Sequence, residues 1–130
     1  MAVVSEDQVT LMAKRAFAHV ATIGPNGEPH SSPVWVDWDG QFLRFSQTTT
    51  RQKYRNLQRD SRISLSMTDP DNDYHYVEVR GDIERIENDD GNAFINAMAK
   101  KYIDADVYPW AAPDEQRIVV YVRPEHTSGM

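Results

Sequence analysis

The run Ser46-Gln47-Thr48-Thr49-Thr50-Arg51-Gln52-Lys53 gathers hydroxyls, a guanidinium and an ammonium group where a strand pattern passes into a helix pattern. Free N–H groups at a helix start, threonine hydroxyls and two cations make a phosphate-binding site, because dipole, donors and formal charge all favour an anion there. Arg51 and Lys53 oppose the dipole of the helix they open, so they cost helix stability unless an anion compensates. The three threonine hydroxyls at Thr48, Thr49 and Thr50 add neutral donors to the same place. The competing reading is a solvated basic face, and Arg55, Arg59 and Arg62 fit it as exposed helix and strand charge.

Two other segments have chemistry in their residue types. In His30-Ser31-Ser32-Pro33-Val34-Trp35, small hydroxyl residues precede a proline that has no N–H to give a neighbouring strand. Backbone groups left free in this way can lie along a flat polar heterocycle; an edge strand with a bulge is the plain alternative. Tyr108-Pro109-Trp110 sets two aromatic rings on a proline-stiffened loop, where they line a pocket, pack on a partner or form a small core patch.

The common catalytic signatures are absent: there is no GxSxG, Walker A loop, HExxH or GxGxxG. His19, His30, His75 and His126 fall on separate elements at no ligand spacing, so no metal site is expected. Asp69, Asp71 and Asp73 alternate like the start of a calcium loop, but Pro70 intrudes and Tyr74 stands where such a loop needs glycine. With no cysteine there is no disulfide, thiolate nucleophile or Cys-based metal centre.

The elements that must hold these residues are short and mostly extended. Ser5 and Gln8 form a capping box for a first helix, with Val9, Met12, Ala13 and Ala16 on one face. Phe17 to Ile23 reads as a strand that turns at Pro25-Asn26-Gly27-Glu28 into a return strand from His30 to Trp38, with Pro33 making that strand an edge, bulged or irregular. Asp39-Gly40 makes the next turn and Gln41 to Ser46 the next strand. A helix from about Thr50 to Arg59 follows, with the threonines as N-caps and Tyr54 and Leu57 facing the core. Strands are expected at Arg62 to Met67, at Tyr74 to Ile86 with a bend at Gly81, and at Arg117 to Arg123. Asn88 or Asp89 caps a third helix through about Tyr102, and residues 104–115 form an ordered loop. Six strands at this spacing with inserted helices indicate a single mainly β domain over residues 1–130, a small antiparallel barrel.

The 130 residues carry 14 Lys+Arg against 20 Asp+Glu, a net charge of −6, which argues against general binding to nucleic acid. That total is uneven. Residues 44–62 hold six cations and one anion, a local +5, which leaves −11 on the remainder. No apolar run is long enough to span a membrane, and the N-terminal stretch turns acidic by Glu6, unlike a secretory leader. The cytoplasm is the expected compartment.

Taken together, these segments resemble the flavin/deazaflavin split-barrel superfamily, the pyridoxamine 5′-phosphate oxidase-like proteins, and within it the small coenzyme F420-dependent reductases. The resemblance runs through Ala18-His19-Val20-Ala21-Thr22-Ile23, Gly27 to Trp35, Thr50 to Leu57, Val79-Arg80-Gly81 and Arg117-Ile118-Val119-Val120-Tyr121-Val122. It implies a six-stranded FMN-binding-type split barrel whose Arg51 and Lys53 bind a cofactor phosphate, with Ser46, Thr48 and Thr50 assisting. The strand His30–Trp35 would lie along the isoalloxazine or deazaflavin ring, and its Ser-Pro-Val-Trp form is nearer the deazaflavin-using members. The implied protein is a homodimer, with Tyr108 and Trp110 reaching the partner's site. Its implied chemistry is hydride transfer from reduced F420 to an unsaturated small-molecule acceptor: an enone, a quinone-like compound or a tetrapyrrole. An FMN-dependent relative and a non-catalytic carrier of F420, flavin or haem are the alternatives. Vitamin B6 oxidation fits less well, because Arg123-Pro124-Glu125-His126 departs from the C-terminal Arg-x-His motif of that enzyme.

Overall fold

The computed structural model describes residues 3–130; Met1 and Ala2, part of the stretch read for a leader, lie outside them. The first helix, α1 (Glu6–Ala13), opens on the expected capping box. The Ser5 hydroxyl accepts from the Gln8 N–H at 3.2 Å, and the Gln8 side chain accepts from the Ser5 N–H at 2.9 Å. Seven strands follow: β1 (Ala18–Ile23), β2 (Pro29–Val34), β3 (Val36–Trp38), β4 (Leu43–Thr48), β5 (Arg62–Asp69), β6 (Asn72–Asn88) and β7 (Arg117–Gly129). Helix α2 (Gln52–Arg59) sits between β4 and β5, and α3 (Ala93–Ile103) between β6 and β7, after a short 3-10 turn at Asp90–Asn92.

All pairings are antiparallel, in the order β2-β1-β5-β6-β7-β4-β3. This order dictates the shape. The two edge strands, β2 and β3, are separated by Trp35 alone, and one residue spans at most about 7 Å between its neighbours. The sheet must therefore curl until its edges meet at Trp35, yet β2 and β3 do not pair. The result is a split barrel.

The strand count of seven differs from the six read in the sequence because the expected return strand breaks at Trp35. Pro33 pairs opposite His19 and has no N–H to offer across its other side, and β2 is indeed an edge. The Gly81 bend is also present, as a register shift against β7. A Cβ there would collide with the Arg123 carbonyl oxygen, which is why the position holds glycine.

The barrel interior is apolar. Val20, Val36, Leu43, Phe45, Leu65, Met67, Val77, Val79, Val120 and Val122 are all buried, together with Leu11 and Met12 from α1, which lies against β3, β5 and β6. Helix α3 packs its Phe94, Ile95, Met98 and Tyr102 on Val119, outside the barrel. Its N-cap is Asn92, later than the expected Asn88 or Asp89 because the 3-10 turn intervenes, yet Asp89 still ties down the first turn: the carboxylate accepts from the Phe94 and Ile95 N–H groups at 2.7 and 2.9 Å.

The far end of α3 fixes the Trp35 corner. The Tyr102 hydroxyl donates to the Ala16 carbonyl at 2.6 Å and accepts from the Val36 N–H at 3.1 Å, while its ring stacks on Trp35 with centroids 5.4 Å apart. Lys101 Nζ donates to the carbonyls of Val36 at 2.7 Å and Met12 at 2.8 Å. Burial pushes this ammonium down to about 8 and the Tyr102 phenol up to about 12. The backbone groups released by the strand break thus find side-chain partners.

Candidate functional site

A cleft of about 420 Å³ opens beside the Trp35 corner, within the size range of small-molecule sites. Strand β2 contributes Ser32, Pro33 and Val34; the end of β4 contributes Ser46, Gln47 and Thr48; the segment entering α2 contributes Arg51 and Lys53. Trp35, Tyr108 and Trp110 form an aromatic wall. Trp35 meets Tyr108 edge-on at 5.9 Å, and Tyr108 meets Trp110 edge-on at 5.6 Å. A Tyr108 N–H bond of 2.8 Å to the Asn96 side chain anchors the aromatic loop to α3.

The structure sorts the basic island. Arg44 is held by Asp37 through bonds of 3.0 and 2.6 Å, and Arg62 by Asp60 at 2.7 Å. Arg59 donates to the Ile23 carbonyl, and Arg55 to the Thr50 carbonyl and the Gln52 side chain. Arg51 and Lys53 remain, and among the described residues neither has a carboxylate within ion-pair distance. Lys53 Nζ donates to Ser32 Oγ at 3.0 Å, bridging α2 to β2 across the cleft. Burial, and then the neighbouring Arg51 charge, hold the Lys53 ammonium below its ordinary value. Both causes penalise the charged form, and an anion in the cleft would relieve them.

Helix α2 starts later than the sequence indicated. Its N-cap is Arg51, with no side-chain cap bond, because the Thr48 and Thr50 hydroxyls bond each other at 2.9 Å instead of capping. The first turn therefore carries uncapped N–H groups beside two cations.

Ten of the thirteen positions singled out in the sequence line this one cleft: Ser32, Pro33, Val34, Trp35, Ser46, Thr48, Arg51, Lys53, Tyr108 and Trp110. His30, Ser31 and Thr50 do not. The His30 ring turns to Glu28 at 3.4 Å, Ser31 is exposed to solvent earlier along β2, and Thr50 bonds to the lining residue Thr48. Tyr108 and Trp110, which the resemblance placed in the partner's site, line the cleft of their own chain.

Sequence reading missed Phe17, Gln47, Ile95 and Arg117 as lining residues. Phe17 was read only as the start of a strand, and Gln47 as part of the phosphate run. Arg117 reaches the cleft because β7 pairs with β4 so that Arg117 faces Thr48. Its Nε donates to Glu115 Oε2 at 3.0 Å, its Nη1 donates to Ser46 Oγ at 3.1 Å, and its guanidinium lies 4.6 Å from the Tyr108 ring centre. Gln47 is 4% exposed, and neither Nε2 nor Oε1 has a hydrogen-bond partner among the described residues. No cluster of His and acidic residues among the described residues is arranged to hold a metal ion. No described helix is long and apolar enough to cross a membrane.

Comparison with known proteins supplies the relationship. The family model for pyridoxamine 5′-phosphate oxidase matches residues 4–130. No curated protein sequence matches. Among solved structures, an F420 reductase is similar at 38% identity and a TM-score of 0.87, over 96% of this chain and 98% of that one. A conserved hypothetical protein of Mycobacterium tuberculosis (22% identity, TM-score 0.73, 98% of this chain and 84% of that one) shares the fold. So does General Stress Protein 26 of Bacillus anthracis (18% identity, TM-score 0.70, 93% and 88%). With its split barrel and a family match that covers nearly every residue, the chain belongs to the pyridoxamine 5′-phosphate oxidase family.

Proposed function

We propose that this protein is an F420-dependent oxidoreductase that reduces an unsaturated organic acceptor such as an enone, a quinone-like compound or a tetrapyrrole. The observation that carries the reading is the cleft itself: Arg51 and Lys53, free of carboxylates, beside an uncapped helix start and a wall of aromatic rings. Family membership makes oxidoreductase chemistry the class, and the similar F420 reductase favours the deazaflavin over FMN.

The donor set fits such a cofactor. Arg51 and Lys53 would hold the phosphate, with the α2 N–H groups and nearby hydroxyls adding donors. Ser32, Pro33, Val34 and Trp35 would flank the ring system. When bound, the reduced deazaflavin supplies a hydride from its central ring. The chain's part is to orient ring and acceptor against each other and keep water from the space between. Trp110 is 63% exposed and Phe17 53% exposed at the cleft, apolar surface that a second subunit would cover, so the active form is proposed to be a homodimer.

Titrating F420 and FMN against the protein, followed by cofactor fluorescence, tests the assignment. F420 is expected to bind more tightly; tighter FMN binding refutes the deazaflavin reading. Arg51→Ala combined with Lys53→Ala is expected to weaken cofactor binding tenfold or more, about 1.4 kcal/mol. Unchanged affinity in a folded double variant would show the phosphate to sit elsewhere. Loss of reduced-F420 absorbance on adding an enone or tetrapyrrole separates an enzyme from a carrier.

A further inference from the structure

We infer that Arg117 donates the hydrogen bond that receives the carbonyl oxygen of the electron acceptor, and that its pairing with Glu115 makes the subsite select neutral carbonyl compounds over carboxylates. This rests on the reductase reading above.

The cleft has two cationic places of different character. On β4, Ser46 and Thr48 share the face turned toward Arg117, whereas Gln47 and its partner Ile118 face the other way, so the cleft wraps around the strand end. Arg51 and Lys53 lie on the α2 side, with no carboxylate. Arg117 lies beneath the aromatic loop and has one. The Arg117 side chain is 8% exposed and the Glu115 side chain 18%. At that burial the two charges largely cancel for anything entering the cleft, and the Glu115 carboxylate paired with Arg117 repels an incoming one.

What remains is a set of donors without net charge. A guanidinium carries five N–H groups. One is committed to Glu115 and one to Ser46, and Tyr108 covers a face. The group is thus fixed in direction with donors to spare, beside the Trp35, Tyr108 and Trp110 rings. This suits a flat conjugated molecule that offers a neutral oxygen.

The same geometry serves the reaction. A reduced deazaflavin, when bound, would supply the hydride that the β-carbon of the enone gains, and would be oxidised in exchange. The alkene electron pair moves toward the carbonyl carbon, and the carbonyl π pair moves onto oxygen. That oxygen becomes an enolate, held by the Arg117 N–H groups. A proton from water then adds to the α-carbon and completes the two-electron reduction. A pre-oriented donor to a developing oxyanion is worth about 10²–10³ in turnover.

Two naphthoquinones of one ring system test this by calorimetry: menadione, which is neutral, and lawsone, which is an anion at neutral pH. The native protein is expected to bind menadione at least tenfold more tightly than lawsone. Glu115→Gln uncovers the Arg117 charge and should raise lawsone affinity tenfold or more with menadione nearly unchanged. Arg117→Met should erase the preference. The inference is overturned if folded Glu115→Gln keeps the native preference, or if Arg117→Met lowers cofactor affinity while quinone discrimination persists. Should Arg117→Met fail to fold, Glu115→Gln decides alone. If neither F420 nor FMN binds the native protein but Glu115→Gln still shifts the preference toward lawsone, the reductase reading falls and the subsite stands.

Discussion

Removing one oxygen atom at Tyr102 should cost far more than the atom's size implies. Tyr102→Phe keeps the ring and its stacking on Trp35 but orphans two backbone groups, the Val36 N–H and the Ala16 carbonyl. Val36 is 0% exposed and Ala16 2%, so water cannot replace the hydroxyl without the corner opening. The Val36 carbonyl keeps its Lys101 bond at 2.7 Å and is not orphaned. Each unsatisfied buried group costs about 1–3 kcal/mol. Allowing for partial relaxation, the expected loss is about 2–4 kcal/mol, or roughly 8–15 °C in Tm at this chain length. Urea and thermal denaturation measure it directly. Tyr108→Phe is the matched control: the Tyr108 anchor is its backbone N–H, so its loss should stay within about 0.5 kcal/mol. If Tyr102→Phe melts within about 2 °C of the native protein, the corner is not held by this hydroxyl and the account of the strand break is wrong.

Other consequences can be measured independently. Gln47→Met replaces a buried carboxamide that has no partner, so the ligand-free protein should gain about 1–3 kcal/mol; a loss instead would show that the amide is satisfied. Lys53 is held below its ordinary value, so binding of a phosphate-bearing ligand should take up protons at alkaline pH, and affinity should fall as pH rises through the lowered value; calorimetry in buffers of different ionisation enthalpy reads this uptake. His75 bridges Asp69 at 2.9 Å and Asp7 at 2.8 Å, and bonds to both, Asp69 foremost, raise it above 6.5. Its contribution to stability is therefore full below about 6.5 and lost as pH climbs through the raised value, and His75→Gln should flatten that slope in denaturation curves. Asp69, lowered to about 2 chiefly by His75, acts in the opposite sense: its contribution is present above 3.8 and fades as pH falls toward 2.

Local signals located most elements because they depend on neighbours in the chain. The Ser5–Gln8 capping box, the Gly27 and Gly40 turns with φ of 83° and 101°, and the Pro33 edge strand each involve groups only a few residues apart. The Thr48-Thr50 cap failed because a hydroxyl with two possible partners chose the other threonine, which only the packed backbone decides. Lining of the cleft by Arg51 and Lys53 was legible because cations at a helix start are costly unless an anion compensates, and that by Ser32–Trp35 because Pro33 leaves backbone groups unpaired. Arg117 was not legible, since at the head of an apolar strand it reads like any terminal arginine. Its place follows from a register with Thr48, 69 positions away.

By itself the sequence determined that residues 44–62 form a cationic island in an acidic chain, and that the strands must pair with helices set between them. Which of the island's six cations face a ligand was decided only in three dimensions. Asp37 and Asp60 take Arg44 and Arg62, backbone carbonyls take Arg55 and Arg59, and Arg51 and Lys53 are left facing the cleft. The physical reason is that charge adds along a sequence, whereas pairing requires atoms within a few ångströms, and it is the curl of the sheet about Trp35 that sets those distances.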